Sequence, residues 1–98
     1  MNLTEKQKKH LRGLGHPLHP IVTLGQAGLT DAVVQELERA LTDHELVKVR
    51  ARAGDRDARD EMLDTLAART RSSIVQRIGN VGLFYRPDAQ LPKIVLPD

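Results

Sequence analysis

The chain has no cysteine. Disulfides, thiolate metal sites and a thiol nucleophile are therefore excluded. Aromatic residues are almost as scarce: one tyrosine and one phenylalanine in 98 residues supply no multi-ring surface for stacking nucleobases. No apolar run approaches the ~20 residues that a membrane span needs, and the first residues form no apolar leader. The expectation is a soluble, cytoplasmic protein without membrane contact. A chain this short holds one domain, 1–98, and no second independent core.

Core-forming residues, by contrast, are plentiful. Leu, Ile, Val and Phe number 14, 4, 8 and 1, above the roughly 20% below which a charged chain tends to stay disordered. The net charge is only +2, but it is distributed in blocks. Lys6, Lys8, Lys9 and Arg12 against Glu5 give the first twenty residues a charge of +3. Residues 30–45 carry −4, and Lys48, Arg50, Arg52 and Arg56 against Asp55 return +3 over 46–56. Such alternation suits a bipolar surface with one face attractive to polyanions, or a set of ordinary solvated faces.

Thr4-Glu5-Lys6-Gln7 has the spacing of a capping box, so a short basic helix is predicted over 5–13, with Leu11 and Leu14 as its apolar stripe. Gly13, Gly15 and the two prolines of His16-Pro17-Leu18-His19-Pro20 stop it. The β-branched run at 21–24 reads as a buried strand. Thr30 is a good N-cap, and Val33, Val34, Leu37 and Leu41 recur at helical spacing over 31–43. From Leu46 to Arg52 the pattern alternates, with Val47, Val49 and Ala51 on one side and Lys48, Arg50 and Arg52 on the other. Asp55 can cap a third helix over 57–70, which turns Met62, Leu63, Leu66 and Ala67 to one side. Two strands, 74–78 and 81–85, meet across Gly79-Asn80 as a hairpin, and 94–96 is a candidate short final strand. The order α-β-α-β-α-β-β predicts an α/β fold: a four-stranded mixed sheet with helices packed against it.

Gly25-Gln26-Ala27-Gly28 lies between the first strand and the second helix. Glycines there let another backbone approach closely, and the helix start behind them exposes unpaired N–H groups and the positive end of its dipole. The two together suit a phosphate. The alternative is structural: Gly25 turns the strand and Gly28 relieves crowding. No Lys-Ser or Lys-Thr follows, which argues against a nucleotide P-loop, and the dinucleotide GxGxxG pattern is absent. A KH domain places its GxxG loop between two helices, whereas an apolar strand-like run precedes it here.

Three stretches carry a more specific likeness: LTEKQKKHLRGLGHPLHPIVTLGQAGLTDAVVQELERAL, HELVKVR, and VQRIGNVGLFYRP with KIVLP behind it. With these, the chain resembles the bacterial YhbY family, the stand-alone form of the CRM RNA-binding domain. The resemblance implies RNA binding and association with rRNA in precursors of the large ribosomal subunit. It makes Gly25, Gln26, Ala27 and Gly28 the family's GxxG loop, and Lys6, Lys8, Lys9 and Arg12 its basic first helix. The middle of that loop often holds a basic residue in the family, but Gln26 and Ala27 are neutral, so the attraction must come from cations elsewhere. Asn80-Val81-Gly82 also departs from the more usual basic residue after Ile-Gly.

Lys48, Arg50 and Arg52 are candidates for a further line of phosphate contacts, or else a solvent-facing row. Arg86 could hold a phosphate at the end of the second hairpin strand, while Tyr85 or Phe84 is better placed in a core. His16 and His19, three apart and bounded by prolines, lack the partners a metal needs. Asp57, Asp60, Glu61 and Asp64 follow helical spacing and read as the wet side of the third helix. The resulting expectation is a monomeric, non-catalytic RNA-binding protein with no cofactor, metal or small-molecule substrate. The main alternative is an adaptor that docks on ribosomal proteins or assembly factors. A small hydrolase is a third reading, with no nucleophile–base pair in the sequence to support it.

Overall fold

The computed structural model describes residues 2–52 and 54–98. Its elements are α1 (Glu5–Gly15), β1 (Pro20–Leu24), α2 (Asp31–His44), β2 (Leu46–Ala51), α3 (Arg56–Thr70), β3 (Ser73–Ile78) and β4 (Val81–Tyr85). Local chemistry sets the helix starts. The Thr4 hydroxyl accepts from the Gln7 N–H while the Gln7 side chain accepts from the Thr4 N–H. Thr30 caps Val33, and Asp55 caps Ala58.

The sheet order is β1-β2-β4-β3. β1 runs parallel to β2, whereas β4 is antiparallel to both of its neighbours, β2 and β3. The hairpin thus inserts β4 between β2 and β3, and β1 and β3 become the edges. Alternation along the strands divides two packed layers. On one face Val22, Leu24, Val47, Val49, Ala51 and Phe84 meet Leu37 and Leu41 of α2 and Leu63, Leu66 and Ala67 of α3. On the other, Leu46, Val75, Leu83 and Tyr85 meet Leu11 of α1, with Leu3, Ile94 and Leu96 at the margin. A fully buried leucine contributes about 1.5–3 kcal/mol by leaving water, so both layers are needed.

Three expectations change. α1 continues through Gly13 to Gly15, because Gly15 seats its last turn on the sheet: a Cβ there would lie 2.7 Å from Leu83 Cδ2. β1 is a half-buried edge strand, with Ile21 and Thr23 exposed. Residues 94–96 form no strand. Among them the Ile94 N–H donates to the Glu45 carboxylate rather than to a strand. This glutamate is fully buried at 0% exposure and has a φ of 63°. Its carboxylate accepts from the N–H groups of Asp88 at 2.7 Å, Lys93 at 3.0 Å and Ile94 at 2.8 Å. Burial opposes its ionisation, yet these donors and the Lys93 charge outweigh that and hold its pKa below the ordinary value. Burial, and then the Glu45 charge, push the Tyr85 hydroxyl up.

Candidate nucleic-acid interface

Gly25–Gly28 forms a turn closed by the Gly28 N–H donating to the Gly25 carbonyl at 3.0 Å. The two glycines have different reasons to be there. Gly28 has a φ of +72°, a region that L side chains rarely adopt, and it lies over Met62 of α3. Gly25 has no such conformation, and a Cβ on it would meet nothing within 4 Å. Gln26 and Ala27 at the tip are exposed, and their N–H groups have no partner among the described residues. The turn is therefore open, and it presents donors to solvent.

The sheet brings cations to this end. The Arg52 N–H donates to the Leu24 carbonyl at 2.8 Å, which sets Arg52 beside the turn. Thr23 pairs with Arg50, and Arg50 with Val81, so Arg50 lies one row below. Lys48 follows two residues back on the same side, its ammonium 3.5 Å from the His16 carbonyl at the end of α1. Among the described residues, Lys48, Arg50 and Arg52 make no ion pair. Arg56 and Arg59 in the first turns of α3, with Arg77, line a cavity of about 350 Å³ at the same end of the sheet. The sequence signal for Arg56 and Arg59 is the Asp55 cap directly ahead of them, which places both in the opening turns of α3.

The basic first helix is placed differently. Leu11 packs with Leu46 and Tyr85, which pair with one another at the far end of β2. Lys6, Lys8 and Lys9 therefore lie toward the end of the sheet opposite Gly25, and Arg12 is nearer its middle. Lys8 is 3.7 Å from Glu5, while Lys6 and Lys9 are exposed. The candidate cations thus form an elongated strip, from α1 across Lys48 and Arg50 to Arg52 and the turn, rather than one cluster.

Arg86 does not belong to that strip. Its guanidinium donates to Glu38 Oε2 at 2.8 Å, the Thr70 carbonyl at 2.9 Å and Thr42 Oγ1 at 3.2 Å. These bonds tie the end of β4 to α2 and α3, and they occupy both terminal nitrogens of the side chain that was expected to hold a phosphate. Phe84 and Tyr85 are both buried, on opposite faces of the sheet. Asp60 and Asp64 of the acidic helix face form ion pairs with Arg77 of β3.

The chain is similar to known proteins in sequence and in fold. The model of the CRS1 / YhbY (CRM) domain matches residues 3–86. A probable RNA-binding protein of Pseudomonas aeruginosa is 49% identical over 86 residues, covering 88% of this chain and 83% of its own. An RNA-binding protein of Haemophilus influenzae is 42% identical over 95 residues, covering 97% and 95%. The solution structure of a Staphylococcus aureus protein, described as a candidate RNA-binding protein, superposes with a TM-score of 0.82 at 35% identity. That match covers 98% of this chain and all of the other. Sequence pattern, element order and these likenesses lead to one conclusion: the chain belongs to the CRS1/YhbY (CRM) domain family.

Proposed function

We propose that this protein is a non-catalytic RNA-binding protein that holds rRNA in precursors of the large ribosomal subunit. The observation that carries the reading is the open Gly25–Gly28 turn, with unpartnered N–H groups at its tip and Arg50 and Arg52 beside it. A sugar–phosphate strand would lie against Gly25, where no side chain stands off the approach, and accept from the Gln26 and Ala27 amides. Lys48, Arg50 and Arg52 neutralise neighbouring phosphates, and Lys6, Lys8, Lys9 and Arg12 extend the field along α1. Backbone and shape contacts dominate such an interface, with little reading of bases. The placement on the large subunit rests on the family likeness.

Ultraviolet crosslinking in cells, followed by mapping of the attached RNA, tests both parts. The expected result is enrichment of large-subunit rRNA, lost when Gly25 is replaced by Val in a folded protein. Recovery of no RNA would reject the reading, and recovery of other RNAs would reject its ribosomal part. One observation favours the adaptor reading: the exposed Leu14, Leu18 and Ile21 line an apolar groove of about 470 Å³ beside edge strand β1. Nuclease treatment of the particles separates the two. RNA binding predicts release of the protein, whereas adaptor docking predicts retention.

A further inference from the structure

α1 covers only part of its face of the sheet. Gly15 at its end rests on Leu83, and beyond that point the face is open. One register row is open: Arg50, Val81 and Ile78 pair across β2, β4 and β3. Lys48, Leu83 and Gln76 pair in the row behind, where Leu83 is buried under Gly15. Neighbouring strands are ~4.8 Å apart, so the open row is a nearly flat shelf about 10 Å across. The rows line a cavity of about 200 Å³ that has two cations and no carboxylate in its wall. Ile78 is 66% exposed there. Its neighbour Arg77 points to the opposite face, where it pairs with Asp60 and Asp64, so the alternation of β3 sets Ile78 toward the open side.

We infer that this shelf is a nucleobase-binding subsite that accepts single-stranded RNA and rejects duplex. The inference rests on the RNA-binding reading above and adds the form of RNA that the site takes. Arg50 and Lys48 flank the shelf as phosphate ligands, and Ile78 with Val81 offers an apolar surface to the face of an unstacked base. In an A-form duplex the base faces are stacked away, and only edges and sugars are available in the shallow groove. A duplex can therefore satisfy the arginine and lysine but leaves Ile78 in water. Charge complementarity selects RNA as the occupant, since a groove walled by Lys48 and Arg50 without an acid favours a polyanion over a neutral peptide. Gln76 supplies a donor and an acceptor at the back of the shelf.

The test uses the intact protein with an oligouridylate of about ten nucleotides, a length within common single-strand site sizes, and a blunt G·C-rich RNA duplex of equal length. Large-subunit rRNA serves as the control for RNA binding itself. Ile78→Ser should weaken oligouridylate binding roughly three- to tenfold, by loss of apolar contact. Ile78→Phe should tighten it by a similar factor through stacking. Neither should change duplex binding, and Ile78 is exposed enough that both variants fold. Equal affinity of the wild type for strand and duplex, or no effect of Ile78→Ser on the strand, would overturn the inference. Binding of rRNA without binding of oligouridylate would overturn the shelf and leave the RNA reading intact. Failure to bind rRNA at all would remove both.

Discussion

Glu45 offers the sharpest test of how the fold is held. Its carboxylate accepts three backbone N–H groups from the segment after β4, while its own carbonyl accepts the Arg86 N–H at 2.9 Å. Hydrogen bonds to a charged acceptor contribute about 1.5–3 kcal/mol each, but the freed donors of a surface segment regain water. Glu45→Ala should therefore cost roughly 2–4 kcal/mol rather than the full sum. For a domain of this size that lowers Tm by roughly 10–25 °C. Glu45→Gly removes the same carboxylate but relieves the positive φ of 63°, recovering about 1 kcal/mol. The expected order in thermal unfolding at neutral pH is wild type, then Gly, then Ala. Amide exchange should show Lys93 and Ile94 losing protection in both variants. A Glu45→Gly variant at least as stable as wild type would refute the argument, because backbone strain would then outweigh the carboxylate.

Further expectations follow from the same geometry. The Glu45 pKa lies below its ordinary value, so its contribution is present above the unfolded value near 4.3 and is lost as pH falls through the folded one. The Tm gap between wild type and Glu45→Gln should accordingly narrow below about pH 4. Arg86→Ala breaks bonds to Glu38, Thr70 and Thr42 and should cost about 2–3 kcal/mol, measured by urea unfolding, with RNA affinity unchanged where the protein is folded. Gly25→Val should keep Tm within a few degrees and weaken RNA binding, because its Cβ meets no protein atom; Gly28→Val should lower Tm as well. Replacing Lys48, Arg50 and Arg52 by Gln should flatten the salt dependence of RNA affinity by roughly 0.7–0.9 per lost phosphate contact, and an unchanged slope would remove that row from the interface.

Elements whose cause is local were legible in the sequence. Thr4, Thr30 and Asp55 announce their helices because a hydroxyl or carboxylate satisfies N–H groups two or three residues ahead, a relation contained in the local sequence. The alternation of Val47, Val49 and Ala51 with Lys48 and Arg50 likewise fixes which side is buried. What was not legible depends on distant partners. Gly15 reads as a stop signal until Leu83 is seen beneath it. Glu45 reads as one more solvated acid, since its donors lie more than forty residues away in a loop with no helical or strand period. Arg86 reads as a free cation for the same reason, its acceptors coming from α2 and the end of α3. Strand order, and with it the exposure of Ile78, depends on β4 inserting between β2 and β3, which no local pattern encodes.

The placement of ion pairs explains how a chain with a net charge of only +2 can present a basic surface. Asp31 pairs with Arg69, Glu38 with Arg86, and Asp60 and Asp64 with Arg77. All of these lie on the side of α2 and α3, where acids and arginines neutralise one another. The exposed pairs among them add little stability, but all of them segregate charge. On the other side, Lys48, Arg50 and Arg52 have no acidic partner among the described residues, and only Glu5 beside Lys8 offsets the cations of α1. The field of the open side is therefore set by its cations and falls off over a Debye length of about 8 Å at physiological salt. At that range a phosphate chain lying along the strip from α1 to the Gly25 turn, as proposed above, would meet Lys48, Arg50 and Arg52 with no acid paired to them.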